Sequence, residues 1–174
     1  MTGLIHIYTG DGKGKTTAAV GLAVRCAGSG ANVVFCQFLK NNQSSELNIL
    51  RMIPQITLVQ TAPTLGFYKS MTAEQRTESK HICIGLLEKA ITAALTNNAR
   101  LLVLDEVVAA YNHQMLDRER LLAFLREKPA ELEIVLTGRK PAPELIELAD
   151  YLSEVTKLKH PFDRGIPARR GIEK

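Results

Sequence analysis

The sequence predicts an α/β fold, a mostly parallel sheet of about six strands with helices on both faces, and three observations carry that expectation. Short apolar runs suited to buried strands recur along the chain, at Leu4 to Tyr8, Asn32 to Leu39 and Arg100 to Leu104. These runs alternate with segments whose apolar residues recur at helical spacing. Between the first strand and the first helix lies Thr9-Gly10-Asp11-Gly12-Lys13-Gly14-Lys15-Thr16-Thr17, the order in which a phosphate-binding loop is built.

That loop asks for these residue types. Several backbone N–H groups must approach a polyphosphate closely, so residues without a Cβ are expected at Gly10, Gly12 and Gly14, with a helix N-terminus aimed at the anion. Lys15 supplies a point charge to phosphate oxygens, and Thr16 a hydroxyl that can ligate Mg²⁺ or Mn²⁺. Counted back from Gly14, the general pattern G-x-x-x-x-G-K-[ST] wants glycine where this chain has Thr9. A glycine-rich turn with incidental lysines is the alternative, and the strand and helix on either side weigh against it.

The chain has 174 residues, enough for one domain over 1–174 with a substantial core. Its 45% hydrophobic and 23% charged residues are those of an ordinary soluble globular protein. No stretch reaches the roughly 18 consecutive apolar residues of a membrane span. Met1-Thr2-Gly3-Leu4 runs directly into the first strand, leaving no room for a signal peptide, so a cytoplasmic protein is expected. Cys26, Cys36 and Cys83 are widely spaced within apolar runs and are expected to be free, reduced thiols without metal-binding spacing. The net charge of +4 comes from scattered basic residues with few aromatics between them, which argues against nucleic acid. Lys13, Lys15, Arg139, Lys159, Arg169 and Arg170 would serve an anionic nucleotide equally well.

After the loop, Ala18, Ala19, Leu22, Ala23 and Cys26 recur at helical spacing up to stop signals at Gly28 and Gly30, and their small size suits close packing on a sheet. Asn32 to Leu39 is apolar on both faces for most of its length. Glu46 to Ile53 is expected to be a short helix ended by Pro54, and Ile56 to Gln60 a strand. Thr61 to Met71 is a loop with Pro63 and Gly66 that carries Leu65, Phe67 and Tyr68; by themselves such aromatics are either a plug beneath the loop or a surface for a flat ligand, and the plug is favoured. Thr72 with Gln75 forms a capping box for a long helix to about Asn97, its buried stripe Ile82, Leu86, Ala90 and Ala94 flanked by Cys83, Leu87 and Ile91.

Arg100 to Leu104 then ends in Asp105 and Glu106, carboxylates placed to hold a metal directly or through water, with a simple helix cap as the alternative. Asp117 caps a helix through Leu125, and Glu133 to Thr137 is a strand running into Gly138 and Arg139. Ala142 to Ala149 is a short helix, and Tyr151 to Lys159 an edge strand. In a parallel sheet ligands sit at the C-terminal edge of the strands, where residues 10–17, Gln37 to Lys40, Asp105, Glu106 and Arg139 would converge.

Taken together, TGDGKGKTTAA at 9–19, Arg25, VVFCQFLK at 33–40, GF at 66–67, LLVLDE at 101–106, LTGR at 136–139 and KHPFDRGIPARRGIE at 159–173 resemble the ATP:corrinoid adenosyltransferases of the phosphate-loop type. The resemblance covers nearly the full length and accounts for Thr9, since that family's loop looks like T-G-N-G-K-G-K-T-T. It implies a phosphate-loop NTPase-like (RecA-like) single domain whose residues 159–174 form a C-terminal tail packing near the site. The implied reaction transfers the 5′-deoxyadenosyl group of ATP to the cobalt of a reduced corrinoid, releasing triphosphate. Lys15, Phe67 and Glu106 are then the candidate catalytic residues; Thr9 to Thr17, Arg25, Arg139, Phe67 and Tyr68 bind ATP or corrinoid; Thr16, Asp105 and Glu106 hold Mg²⁺. The family is implied to displace the lower cobalt ligand with aromatic side chains, so that a reduced flavoprotein can make cob(I). Phe67 matches that position with Tyr68 beside it, although the usual G-F-T-W is here GFYK and the chain has no tryptophan. Many relatives carry a polar helical extension before the first strand, whereas this sequence begins two residues before it, and a homodimer is expected from the family.

Two rival readings follow from the same residues. A phosphate-loop ATPase or small-molecule kinase could use Asp105 for metal, Glu106 to activate water and Arg139 as a charge sensor. A carrier loaded with ATP or corrinoid would bind both without turnover. No N-K-x-D sequence for guanine recognition occurs.

Overall fold

The computed structural model describes residues 2–40, 42–60, 68 and 71–173. Six strands, β1 (Ile5–Thr9), β2 (Val33–Gln37), β3 (Ile56–Val59), β4 (Leu101–Asp105), β5 (Glu133–Thr137) and β6 (Tyr151–Glu154), form one sheet in the order β3-β2-β4-β5-β1-β6. Every pairing is parallel. Between them run helices α1 (Lys15–Gly28), α2 (Glu46–Leu50), α3 (Ala73–Thr96), α4 (Val107–Asn112), α5 (Arg118–Glu127) and α6 (Pro143–Glu147).

Alternation along the central strands sends successive side chains to opposite faces, and each face has its own core. Val33, Phe35, Leu101, Val103 and Val135 meet Ala19, Ala23 and Ala27 of α1 and Leu47 and Leu50 of α2. The intervening residues, Val34, Cys36, Leu102, Leu104, Ile134 and Leu136, meet α3, α4 and α5 through Leu86, Leu87, Ala90, Ile91, Val107, Val108, Leu121 and Leu125. The alanines recur every fourth residue on one stripe of α1, letting the helix lie close to the sheet.

Most predicted elements are present, with shifted ends. The second strand stops at Gln37: Phe38 N–H still makes the last ladder bond, to the Asp105 carbonyl at 2.8 Å, and Leu39 beyond it adopts φ +53°. The helix beginning at Glu46 ends at Leu50 and not at Ile53, and the third strand ends at Val59. The capping box of α3 is present in both directions: Gln75 N–H donates to Thr72 Oγ1 and Thr72 N–H to Gln75 Oε1. Asp117 likewise caps α5 by accepting from Arg120 N–H at 3.0 Å. The edge strand expected over Tyr151 to Lys159 is limited to Tyr151–Glu154, and beyond it the chain turns under the phosphate loop. Helix α4 is an element that the sequence pattern did not announce. The three cysteines are free, Cys36 and Cys83 buried and Cys26 half-buried, and burial pushes the Cys83 thiol up to about 11. Among the described residues no helix is long and apolar enough to cross a membrane.

Topology positions the site. Strand β5 lies between β1 and β4, so the C-terminal ends of three neighbouring strands deliver the 9–17 loop, Thr137-Gly138-Arg139 and Asp105-Glu106 to one edge.

Candidate functional site

The loop is held from below by the chain that leaves β6. Val155 N–H donates to the Thr9 carbonyl at 2.9 Å, Gly12 N–H donates to the Val155 carbonyl at 2.7 Å, and Lys157 N–H donates to Asp11 Oδ1 at 3.0 Å. A Cβ on Gly10 or Gly12 would lie 2.4 or 2.7 Å from the Val155 carbonyl oxygen. These two glycines are therefore required by the backbone passing beneath them, a different reason from the close phosphate approach expected from sequence. Gly14 differs, since φ +136° is its constraint and its open side has only Val155 Cγ1 at 3.7 Å. It sits at the N-cap of α1 without any side chain, leaving the first N–H groups of that 14-residue helix free of intrahelical partners.

Lys15 is buried and its Nζ donates to the Gly12 carbonyl at 2.8 Å, curling the loop around the ammonium. Burial, reinforced by the nearby Arg139 guanidinium, lowers its pKa. An anion arriving beside it favours the charged ammonium and so opposes both effects.

Asp105 is the fixed point on the other side. It is 0% exposed, and a bare buried carboxylate would be costly, so its partners matter. Oδ1 accepts from Thr137 Oγ1 at 2.7 Å and Thr16 Oγ1 at 2.9 Å, while Oδ2 accepts from Lys40 Nζ at 2.8 Å and Gln37 Nε2 at 3.2 Å. Burial works to lower the pKa of Lys40, but the charge and hydrogen bond of Asp105, with Glu46 and Glu106 behind them, raise it on balance. Thr137, which sequence reasoning did not single out, also accepts Glu106 N–H at 2.8 Å through the same hydroxyl. Glu106 itself sits at φ +59°, and burial together with the charge of Asp105 pushes its carboxyl above the usual range.

These groups open on a cleft of about 300 Å³ lined by residues 11–17, Glu106 and Arg139 on one side and by the tail on the other. The tail turns through a 3₁₀ segment, Pro161–Arg164, whose preceding His160 accepts Phe162 N–H on Nδ1. His160, Phe162, Ile166 and Ile172 thus line the cleft with the phosphate loop, a placement that the resemblance implied for the tail and that its Gly- and Pro-rich composition alone did not. Phe162 remains 72% exposed, an unusual state for a phenylalanine on a cleft wall.

Of the residues predicted from sequence, Asp11, Gly12, Lys13, Gly14, Lys15, Thr16, Thr17, Glu106 and Arg139 line this cleft, with Asp105 directly behind Thr16. Thr9 is buried beneath the loop through its carbonyl, and Gly10 turns there at φ +102°. Arg25 is not brought in. It lies in the last turn of α1, ten residues beyond Lys15 and so about 15 Å along the helix, where its charge acts on Tyr8. Phe67 lies outside the described residues, as do its neighbours in 61–67. Tyr68 is described, half-buried against the core beside α3, with its ring stacked on His113 at a centroid distance of 4.0 Å.

A sequence profile of the ATP:corrinoid adenosyltransferases BtuR/CobO/CobP matches residues 1–173. This chain belongs to that family. It is 33% identical over 172 residues to the corrinoid adenosyltransferase of Escherichia coli K12, spanning 98% of this chain and 85% of that one. The corrinoid adenosyltransferase of Pseudomonas aeruginosa is 33% identical over 174 residues, covering 98% and 83%. Among solved structures, a KaiC-like protein from Pyrococcus horikoshii superposes with a TM-score of 0.56 at 15% identity, over 91% of this chain and 75% of that one. That likeness concerns the fold alone and agrees with the phosphate-loop, RecA-like sheet. In this corrinoid adenosyltransferase family member the profile also runs through the tail, so the wall that closes the cleft belongs to the shared region.

Proposed function

We propose that this chain binds ATP with its triphosphate on residues 10–17 and transfers the 5′-deoxyadenosyl group to the cobalt of a reduced corrinoid, cob(I)alamin, cobinamide or a related precursor. The electron pair of cob(I) forms the cobalt–carbon bond at C5′, the C5′–O5′ bond breaks, and inorganic triphosphate carries the electrons away. No proton has to be removed. What the protein must supply is orientation of the sugar and stabilisation of charge building on the triphosphate. The observation that supports the reading most is the grouping of Lys13, Lys15, Arg139 and the open N-terminus of α1 around one cleft in a chain of this family.

Mg²⁺ fits the residues present. Thr16 Oγ1 and Asp105 Oδ1 are 2.9 Å apart, Glu106 follows on the chain, and the buried Gln37 Oε1 has no hydrogen-bond partner among the described residues. Thr16 would hold the ion with phosphate oxygens, and Asp105, whose oxygens already accept from Thr16, Thr137, Gln37 and Lys40, would act through water, the partial shell that Mg²⁺ tolerates. Bound there, the ion supplies positive charge to the leaving triphosphate. Lys15 contributes by exchanging the Gly12 carbonyl for a phosphate oxygen, and Glu106 by accepting from water or ribose at the cleft.

The reading extends to Phe67 as the group that displaces the lower cobalt ligand, a reduced flavoprotein as electron donor, and a homodimer in the cytoplasm; these rest on the resemblance to the family. Product analysis tests the reaction. Incubation with ATP, Mg²⁺ and cob(I)alamin is expected to yield triphosphate, whereas ADP and phosphate would indicate an ATPase or kinase.

A further inference from the structure

The cleft has two walls of opposite character. One carries Lys13, Lys15, Arg139 and the N-terminus of α1, which suit an anion. The tail supplies the other, where Phe162, Ile166 and Ile172 are 72%, 39% and 56% exposed. One apolar side chain left in solvent would need no explanation, but three gathered on the wall of one cleft mark a surface that a ligand covers. The charge of a triphosphate gives them no task.

The backbone that carries Phe162 is tightly held. Pro161 fixes one φ angle at the start of the 3₁₀ segment, and Gly165 ends it at φ +76°. His160 Nδ1 accepts Phe162 N–H at 3.1 Å, the Phe162 carbonyl accepts Gly165 N–H at 2.9 Å, and the Pro161 carbonyl accepts Ile166 N–H at 3.2 Å. Lys157 joins this turn to the phosphate loop. Its N–H donates to Asp11 Oδ1 at 3.0 Å, and its ammonium donates to both carboxylate oxygens of Asp163 at 3.0 Å. An exposed ion pair is weak by itself, so the backbone bonds supply most of the hold. The exposed ring thus belongs to an ordered turn, registered to the same loop that receives the triphosphate.

We infer that Phe162, flanked by Ile166, is the stacking platform for the nucleobase of the ATP whose triphosphate lies on residues 10–17. A nucleotide has one polyanionic end and one flat aromatic end joined by a sugar, and the cleft offers a wall to each. Stacking on a phenyl ring asks only for a π face, so the platform fixes the plane of the base and leaves its identity unread. With the base held at one end and the phosphates at the other, the ribose between them is oriented, as transfer at C5′ requires. The inference rests on the proposed seat of the triphosphate, and it gives the tail a direct contact with substrate.

The test compares ATP with inorganic triphosphate, which shares the anionic end and lacks the base. The chain has no tryptophan, so Phe162→Trp introduces a single indole whose fluorescence ATP should quench and triphosphate should leave unchanged. In calorimetry Phe162→Ala should bind ATP about tenfold or more weakly than wild type, the loss of one base–aromatic stack, while binding triphosphate as wild type does. Phe162→Tyr, which keeps a ring, should match wild type for both. Equal weakening for ATP and triphosphate, or no weakening for either, would overturn the inference. So would a change confined to the corrinoid KM or to the oligomeric state, which would give the ring to the tetrapyrrole or to a second copy of the chain. Failure of wild type to bind triphosphate would remove the seat on residues 10–17 and the inference with it. The reaction is scored separately: if wild type yields ADP while Phe162→Ala still separates ATP from triphosphate, the proposed transfer fails and the stacking stands. If wild type forms the cobalt–carbon bond and Phe162→Ala binds ATP normally, only the inference fails.

Discussion

Thr16, on the first turn of α1, donates a 2.9 Å hydrogen bond to Asp105, the last residue of β4, across 89 positions of sequence. The bond joins the phosphate loop to the carboxylate edge at a residue that lines the cleft. Because the other acceptor positions of Asp105 are occupied by Thr137, Gln37 and Lys40, the carboxylate cannot swivel away from Thr16 without breaking several bonds together.

That network predicts a stability cost. Asp105→Asn removes the negative charge opposite the Lys40 ammonium, whose side chain is 24% exposed, and leaves buried donors unmatched. Loss of one partner of a mostly buried pair should lower the free energy of unfolding by about 3 kcal/mol, read from urea denaturation. Lys40→Met in the same chain should recover part of that loss, and a double variant less stable than Asp105→Asn alone would refute the pairing.

The glycines are not equivalent. Gly12→Ala drives a Cβ to 2.7 Å from the Val155 carbonyl oxygen and should destabilise by about 1–3 kcal/mol, as overpacking does. Gly21, exposed in the middle of α1 with nothing within 4 Å of where a Cβ would stand, should instead gain about 0.5–1 kcal/mol on replacement by alanine. Thermal melting of both variants checks the contrast.

Glu106 sets a pH dependence. Its folded pKa is raised above the ordinary 4.5, so the folded state holds the proton more tightly than the unfolded state, and stability is lost as pH rises through the folded pKa. Glu106→Gln should therefore be more stable than wild type at neutral pH, with the advantage shrinking to nothing below pH 4.5. Unfolding midpoints of the two proteins across that range, without nucleotide, read the difference directly. The same variant should lose Mg²⁺-dependent turnover, so gain of stability and loss of activity go together.

The strands and the phosphate loop were legible in the sequence because buried parallel strands and a glycine-rich turn leave continuous local signals. Leu101 to Asp105 is apolar throughout and then abruptly acidic, which locates both a strand and a site. Strand ends were harder to read, since they depend on partners elsewhere: the second strand ends where its last partner, Asp105, ends β4, and Leu39 then turns at φ +53°, which residues 33–39 do not encode alone. Gly10 and Gly12 looked like phosphate glycines, yet the neighbour that requires them is Val155, more than 140 residues away. Thr137 carries no periodic signal, and its importance comes only from sitting opposite Asp105 on the adjacent strand. Arg25 shows the converse, a residue of suitable chemistry that does not line the cleft.

The central claim is that the loop around Lys15 holds ATP so that its sugar carbon, and not its terminal phosphorus, meets the nucleophile. The most direct measurement is the visible spectrum of cob(I)alamin mixed with ATP, Mg²⁺ and protein, followed by illumination, in wild type and Lys15→Ala. A light-sensitive cobalt–carbon bond formed in step with triphosphate, and slowed about 100-fold or more in a folded Lys15→Ala, is the expected result. ATP consumed to ADP with no cobalt–carbon bond, or Lys15→Ala working at the wild-type rate, would contradict the account.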